Sequence, residues 1–324
     1  MVYPDQPVTI GIDIGATKIL IGSVTREGRI VHQKRYEVDI SSADILKKSI
    51  YHSIEDYITD FRGPNTSKTV GVGIFGHVDS ERGQWMGSLR IPGMEPLCLV
   101  DDLKETYGFD VVVDNDVHAA TIAEMYLGKG RRYRNFIYVN IGTGIAAGMV
   151  TDGKLVRGAV NYAGEMGHMF VGRDMEPCMC GRNWCMETAA SGGGMIHRAC
   201  RWIEDYPDSV LADKVKSDSV ISADIFKAAR HGDKMAVRIY EDFIWAAGIG
   251  LVNLVNILNP EAIILGGGVL KDQWLLEELS AFVYKNAIGI SGAALKEISI
   301  SELGPRVVGL LGAACLTWYR QGML

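Results

Sequence analysis

Three cysteines, Cys178, Cys180 and Cys185, stand within eight residues of one another, and His168 precedes them by ten positions. One imidazole and three thiolates make a complete tetrahedral set for Zn²⁺. No coordination position is left open, so the chemistry such a set does is structural. The competing reading is of free core thiols beside an unrelated histidine, the usual state of lone cysteines such as Cys98, Cys200 and Cys315. Glu165 and Glu187 bracket the set. A metal there would hold both carboxylates in place and shape a polar pocket, rather than perform the reaction itself.

A second group is built for phosphate. Asp13-Ile14-Gly15-Ala16-Thr17-Lys18 ends a β-branched run with a carboxylate, a glycine turn, a hydroxyl and an ammonium. Backbone N–H groups of such a turn can hold a phosphate while the carboxylate orients a hydrated Mg²⁺. The same residues would also make an ordinary hairpin turn. Gly142-Thr143-Gly144 and Gly266-Gly267-Gly268 repeat the arrangement after two further apolar runs, and glycine lets a ligand approach the backbone closely. No G-x-x-x-x-G-K-[ST] sequence occurs, which excludes a P-loop. Gly71-Val72-Gly73-Ile74-Phe75-Gly76 fits the dinucleotide-binding pattern formally, but no amphipathic helix follows it.

Asp114-Asn115-Asp116 lies between the short run Val111 to Val113 and a helix opening at Val117. The acids there can cap the helix. Alternatively, one of them takes the proton from a hydroxyl nucleophile, as phosphoryl transfer requires.

The elements that must carry these groups alternate. Val8 to Ile14, Ile19 to Val24 and Ile30 to Tyr36 read as three antiparallel strands, the last two joined by the turn Arg26 to Arg29. A helix capped by Ser41 or Ser42 runs to about Asp60, and Thr69 to Ile74 is a strand. Val100 to Tyr107 is a helix and Val111 to Val113 a strand. The order restarts with strands over Asn135 to Ile141 and Ala146 to Thr151. A long helix from Met235 to Leu258, a strand over Ala262 to Leu265 and a helix over Glu277 to Ala287 follow. The last helix, Val308 to Tyr319, is expected to be interrupted by Gly309 and Gly312. This is α/β architecture in two related halves.

Composition agrees and narrows the classes. The 324 residues suggest roughly two domains at about 150 residues each. Hydrophobic content of 48% and charged content of 22% are those of a globular chain, which excludes disorder. A net charge of −6 and the lack of any run of five basic residues argue against a nucleic-acid partner. Met1 to Pro7 carries no signal-peptide pattern, and no apolar run approaches the ~18 residues of a membrane span. A cytoplasmic protein with no membrane partner is expected, and thiol ligands suit that reducing compartment. The sequon Asn65-Thr66-Ser67 would go unused there.

Taken together the chain resembles the ROK family of repressors and sugar kinases, within the actin-like ATPase superfamily. The matching residues are the Asp13 to Lys18 motif, Asp114-Asn115-Asp116, Gly142-Thr143-Gly144, Ala163 to His168, Cys178-Met179-Cys180-Gly181 with Cys185-Met186-Glu187, and Gly266 to Gly268. The resemblance implies a two-lobed ribonuclease H-like α/β fold with a cleft between the lobes. One lobe would comprise residues 1–117 and 300–324, the other residues 118–299. It further implies ATP-dependent phosphorylation of a hexose-type sugar, usually at the 6-hydroxyl, with Asp116 as general base. Asn115, Glu165, His168, Glu187 and the Arg90 loop would contact the sugar. Asp13, Gly15, Thr17, Lys18, Gly142, Thr143 and Gly144 would line the phosphates of ATP with Mg²⁺, and Gly266, Gly267 and Gly268 the adenosine. His168 would hold structural Zn²⁺ with Cys178, Cys180 and Cys185. A homodimer or tetramer is implied as well.

Three positions depart from the family pattern. Arg90-Ile91-Pro92-Gly93-Met94 stands where a run of Asn, hydrophobic, Pro, Gly and Trp is common. Trp184 and Asn161 each replace a common glycine. These bear on which sugar is bound, not on the proposed base or the metal ligands. Two other functions compete with a kinase: a sugar-sensing regulator and a sugar-binding protein without catalysis. The Asp13 motif begins after a dozen residues, so no DNA-binding helix-turn-helix is expected ahead of it. Asp116 argues against mere binding, because holding a sugar requires no base.

Overall fold

The computed structural model describes residues 6–91, 93–172, 176–270 and 272–322; Pro92 of the Arg90 loop and Met1 to Asp5 lie outside the described residues. The chain begins with β1 (Val8–Ile14), β2 (Lys18–Val24), β3 (Ile30–Glu37), α1 (Ala43–Phe61) and β4 (Thr66–Ile74). Then come β5 (His77–Asp79), β6 (Gln84–Gly87), α2 (Leu99–Tyr107), β7 (Asp110–Asn115) and α3 (Asp116–Tyr126). The middle of the chain supplies β8 (Phe136–Ile141), β9 (Ile145–Thr151), β10 (Lys154–Leu155), α4 (Glu187–Ala190), α5 (Gly192–Trp202), α6 (Ala212–Lys216) and α7 (Ser222–Arg230). It closes with α8 (Lys234–Leu258), β11 (Ala262–Gly266), α9 (Gln273–Asn286), α10 (Gly289–Ala294), β12 (Glu297–Ile300) and α11 (Val308–Arg320).

Two compact units result. The first comprises Met1–Arg132, Lys154–Ala163 and Glu302–Leu324, the second Tyr133–Gly153 and Gly164–Ser301. The first therefore runs past residue 117, because α3 packs on α11 within it. It also takes in a ten-residue segment from the middle of the chain.

In the first unit the strands run in the order β3-β2-β1-β4-β7. β1 pairs antiparallel with β2 and parallel with β4, which is parallel to β7. Strand alternation assigns the two faces. Ile10, Ile12 and Ile14 join the core with Leu46, Ile50 and Ile54 of α1 and Leu103 of α2. Gly11, Gly71 and Gly73 face the other way. A β-carbon on Gly11 would lie 2.6 Å from the Leu310 carbonyl oxygen, and one on Gly71 would overlap the Ala313 carbonyl. These glycines let the backbone of α11 rest directly on the sheet. The dinucleotide-like spacing at Gly71 and Gly73 is thus a packing device for a helix.

The second unit repeats the topology. Its strands run β9-β8-β11-β12, with β8 antiparallel to β9, parallel to β11, and β11 parallel to β12. α8 is the core helix, burying Met235, Ile239, Phe243, Leu251 and Val255. By length and composition alone it would also pass for a membrane span, at a mean hydropathy of 1.3.

Several boundaries differ from expectation. α11 runs unbroken through Gly309 and Gly312, because both glycines sit at close contacts: Gly312 meets the backbone of Ala119 in α3. α9 starts at Gln273 instead of Glu277, and β7 extends to Asn115, so that Asp114 and Asn115 are strand residues. Ser42, and not Ser41, caps α1 by accepting from the Ile45 N–H.

Candidate functional site

In the first unit the groups cluster where β1 and β7 end. Gly15 N–H donates to the Lys18 carbonyl at 2.9 Å, closing the hairpin turn that carries Ala16 and exposed Thr17. Asp13 lies just before the turn, on the glycine face of β1. Its carboxylate rests on Gly309 of α11, where a β-carbon would lie 2.5 Å from Oδ2. Burial, reinforced by the negative charge of Asp116 and opposed by Lys18, pushes the Asp13 carboxyl up to about 7. Asp116 opens α3, and burial raises its carboxyl too, against hydrogen bonding from the Val117 N–H. Two neighbouring carboxylates are thus both held above the ordinary range, a pairing that can exchange a proton or share a cation.

Helix α3 is capped by Asn115, not by the acids. Asn115 Oδ1 accepts from the Val117 and His118 N–H groups at 2.8 and 3.1 Å, and its Nδ2 donates to the Gly76 carbonyl at 3.0 Å. With the amide committed to these contacts, one N–H remains for a ligand. Asp114 plays a part that spacing did not reveal. It is buried, and Arg157, Asn161 and His118 all converge on it. Burial would raise its carboxyl, but the His118 and Asn161 hydrogen bonds and the Arg157 charge hold it below the usual range. Asn161 takes φ +57°, a conformation that favours glycine and tolerates asparagine. Its replacement of a glycine thus keeps the turn and adds hydrogen bonds.

Arg90 is half-buried, with its N–H on Ser88 Oγ at 3.2 Å. Met94 packs against the core of this unit.

In the second unit His168, Cys178, Cys180 and Cys185 do come together, their ligand atoms all within 4.8 Å of one another. Cys178 Sγ lies 3.6 Å from His168 Nδ1, and Cys180 Sγ 3.6 Å from Cys185 Sγ. Zn–S bonds of about 2.3 Å at tetrahedral angles require S–S edges of about 3.8 Å, and the shorter Zn–N bond shortens the three N–S edges slightly. The donor set fits Zn²⁺. Burial raises the thiols of Cys178 and Cys185, the latter to about 12; at Cys180 burial is outweighed by the hydrogen bonds of Arg182, Cys178 and Cys185 together, which draw it to about 7. His168 Nε2 faces Glu165, with Oε2 at 3.8 Å. The cluster thus fixes the ring through Nδ1 and turns Nε2 toward a carboxylate.

Trp184, between the ligands Cys180 and Cys185, takes φ +68° in place of the common glycine. It is exposed and meets Phe170 edge-on.

Glu187 opens α4, and its Oε2 accepts from the Ile145 N–H at 2.8 Å, directly after the Gly142-Thr143-Gly144 turn. Gly142 N–H donates to the Gly144 carbonyl at 2.9 Å. The Gly142 and Thr143 carbonyls in turn accept from Gly192 and Gly193 at 2.8 and 3.3 Å. Sequence reasoning missed Gly192-Gly193-Gly194, although three glycines following the cap Ser191 were a readable signal. A β-carbon at Gly193 would lie 2.8 Å from the Thr143 carbonyl oxygen, so this helix start abuts the turn. The Gly266 to Gly268 run divides in the same way. Gly266 packs on the Tyr138 ring, and Gly267, at φ +93°, packs on Ile141. Gly268 has nothing within 4 Å of a β-carbon and is the glycine open to a ligand.

Known proteins place the chain. A sequence profile of the ROK family matches residues 9–319. A glucokinase of Halalkalibacterium halodurans is 31% identical over 271 residues, covering 81% of this chain and 80% of the relative. The crystal structure of a ROK family glucokinase from Streptomyces griseus, in complex with glucose and AMPPNP, superposes with a TM-score of 0.79 at 30% identity. That match covers 95% of this chain and 98% of the other. A xylose repressor of Bacillus subtilis is 26% identical over 282 residues, covering 85% of this chain and 69% of the repressor.

Proposed function

The chain belongs to the ROK family, and from that premise we propose that it transfers the γ-phosphoryl group of ATP to the 6-hydroxyl of a hexose-type sugar, with Asp116 as general base. The coarser statement, an ATP-dependent sugar kinase, is borne out by its glucokinase relatives and by the likeness to a structure holding glucose and an ATP analogue. The observation that carries the finer reading is the raised Asp116 carboxyl at the start of α3, beside Asp13. A base whose pKa is moved toward neutrality abstracts a hydroxyl proton more effectively than an ordinary carboxylate.

As the sugar oxygen forms its bond to the γ-phosphorus, its proton passes to an Asp116 carboxylate oxygen, and the bond to the β-phosphate oxygen breaks to release ADP. Mg²⁺, when bound with ATP, neutralises charge on the phosphates. Asp13 would hold that cation, and Lys18 with the Gly15 to Thr17 turn would hold phosphate oxygens. Gly142 to Gly144 offers further backbone donors, and Gly268 gives the adenosine room. Glu165 and His168 Nε2 take sugar hydroxyls, with Glu187 and the remaining N–H of Asn115 as further contacts and Arg90 selecting among sugars. Zn²⁺, when bound to His168 Nδ1 and the three cysteines, fixes the tautomer and orientation of that ring. Cytoplasmic residence and assembly as a dimer or tetramer belong to the same reading.

The test is sugar-stimulated ADP release by zinc-replete protein over a panel of hexoses, N-acetylhexosamines, ketoses and β-glucosides. At least one sugar is expected to stimulate turnover. In Asp116→Asn, kcat is expected to fall by roughly 10²–10⁴-fold with sugar KM nearly kept. If no sugar stimulates turnover, the second reading takes over: a sugar-responsive regulator, which the xylose repressor relative favours.

A further inference from the structure

Asp114 is a buried carboxylate that the reaction does not use, yet Arg157, Asn161 and His118 all hold it. Arg157 Nη1 lies 2.5 Å from its Oδ2. The same nitrogen donates to Asn161 Oδ1 at 2.7 Å and to Ser80 Oγ at 3.4 Å. Asn161 Nδ2 donates to Asp114 Oδ1 at 3.0 Å and to the Val78 carbonyl at 2.8 Å. His118, two residues after Asp116, adds its Nδ1 to Oδ1 at 3.2 Å and places Nε2 on the Ala163 carbonyl at 3.0 Å. Arg157, Asn161 and Ala163 all come from the Lys154–Ala163 segment, which closes on itself through Ala163 N–H to the Arg157 carbonyl. The segment is further fixed by His77 Nε2 on the Val160 carbonyl at 2.8 Å.

These contacts meet the backbone of the site at one point. Asp114 Oδ1 accepts the Asn115 N–H at 2.8 Å, at the junction where β7 becomes the cap and first turn of α3. The carboxylate is thus held on one side by the Lys154–Ala163 segment and on the other holds the peptide that leads into Asp116. We propose that Arg157 is a positioning residue for phosphoryl transfer: through Asp114 it fixes the strand-to-helix junction and so the place of the Asp116 carboxylate. Without the guanidinium, a buried negative charge loses the partner on its Oδ2 and must shift toward water or reorganise. A displacement of about 1 Å at a reacting group costs on the order of a hundredfold in rate.

This inference rests on the reading of Asp116 as base, and a double-mutant cycle tests it with the full-length protein. Arg157→Ala and Asp114→Asn are each expected to lower kcat by roughly tenfold to a hundredfold with sugar KM within about threefold of the parent. The double variant, in which no buried charge is stranded, is expected to be no slower than the slower single one. Methylguanidinium at millimolar concentration should restore part of the Arg157→Ala rate and none of the double variant's. The inference is overturned if the two losses multiply, if KM rises while kcat holds, or if Arg157→Ala turns over like the parent. Should Arg157→Ala not unfold cooperatively, the comparison of Asp114→Asn with the double variant decides alone, since a further loss on removing Arg157 there excludes action through Asp114. Asp116→Asn separates the two readings. If it stays active, both fall; if it is inactive while the losses in the cycle multiply, only the role of Arg157 falls.

Discussion

The Asp13 carboxylate lies against the α-carbon of Gly309, so close that a β-carbon there would be 2.5 Å from Oδ2 and 2.6 Å from Cγ. A helical glycine normally costs stability relative to alanine, by about 1 kcal/mol. Here its value is the space it leaves for a charged group at the end of β1. Gly309→Ala is therefore expected to push Asp13 aside, lowering kcat at least tenfold while the melting temperature changes little, since the better helix former offsets the displaced carboxylate. Steady-state kinetics beside thermal unfolding checks this. A variant that keeps both parent activity and parent stability would show that the position of Asp13 is immaterial.

Burial of Asp13, reinforced by the charge of Asp116, sets a pH dependence. Asp13 is raised to about 7 by burial and by Asp116, so between about pH 4 and 7 the folded protein binds more protons than the unfolded chain. Stability contributed by the protonated group is full below the unfolded value and falls as pH rises through 7. Urea unfolding without divalent cations should show the parent losing stability from pH 4.5 to 7.5, and Asp13→Asn losing distinctly less. Equal slopes for the two proteins would contradict the assignment. The acid limb of kcat/KM should likewise lie above the ordinary carboxylate range of about 4, because Asp116 is raised as well.

The thiolate cluster predicts that zinc and sugar affinity are linked. The protein purified under reducing conditions is expected to hold about one zinc per chain, measured by atomic emission, and Cys180→Ser to lose most of it. Because His168 offers Nδ1 to the cluster and turns Nε2 toward Glu165, sugar affinity by calorimetry should weaken in the same variant by roughly tenfold to a hundredfold. Zinc loss with unchanged sugar affinity would separate the cluster from the pocket.

Gly71 offers a test of the fold alone. A β-carbon there overlaps the Ala313 carbonyl, a backbone atom that cannot rotate away. Gly71→Ala should destabilise the first unit by about 3 kcal/mol or more, in the range of overpacked cores. Gly93→Ala, at a positive φ of 73° but with nothing within 4 Å of the added carbon, should cost only about 1 kcal/mol. Chemical denaturation of the two variants gives the comparison. Similar losses would mean that α11 does not rest on Gly71.

Features that are local in the chain are legible in its amino-acid order. Cys178, Cys180, Cys185 and His168 fall within eighteen residues, so their ligand spacing was readable, and so were the Asp13 to Lys18 turn and the α/β order of the strands and helices. Such features depend on neighbours along the chain and on side-chain period. Tertiary structure decided what each group touches. In sequence Asp114 reads as a helix cap or as a proton acceptor; only the fold shows that Arg157, forty-three residues on, holds it while the capping falls to Asn115. Gly309 and Gly312 read as breaks in the last helix, because low helix propensity is visible in sequence whereas the carboxylate of Asp13 and the backbone of Ala119 are not. Gly267 and Gly268, neighbours of identical type, were told apart only by what lies above each: Ile141 over one and open space over the other. Residue type limits what a position can do, but the burial and contacts that select its role come from distant parts of the chain.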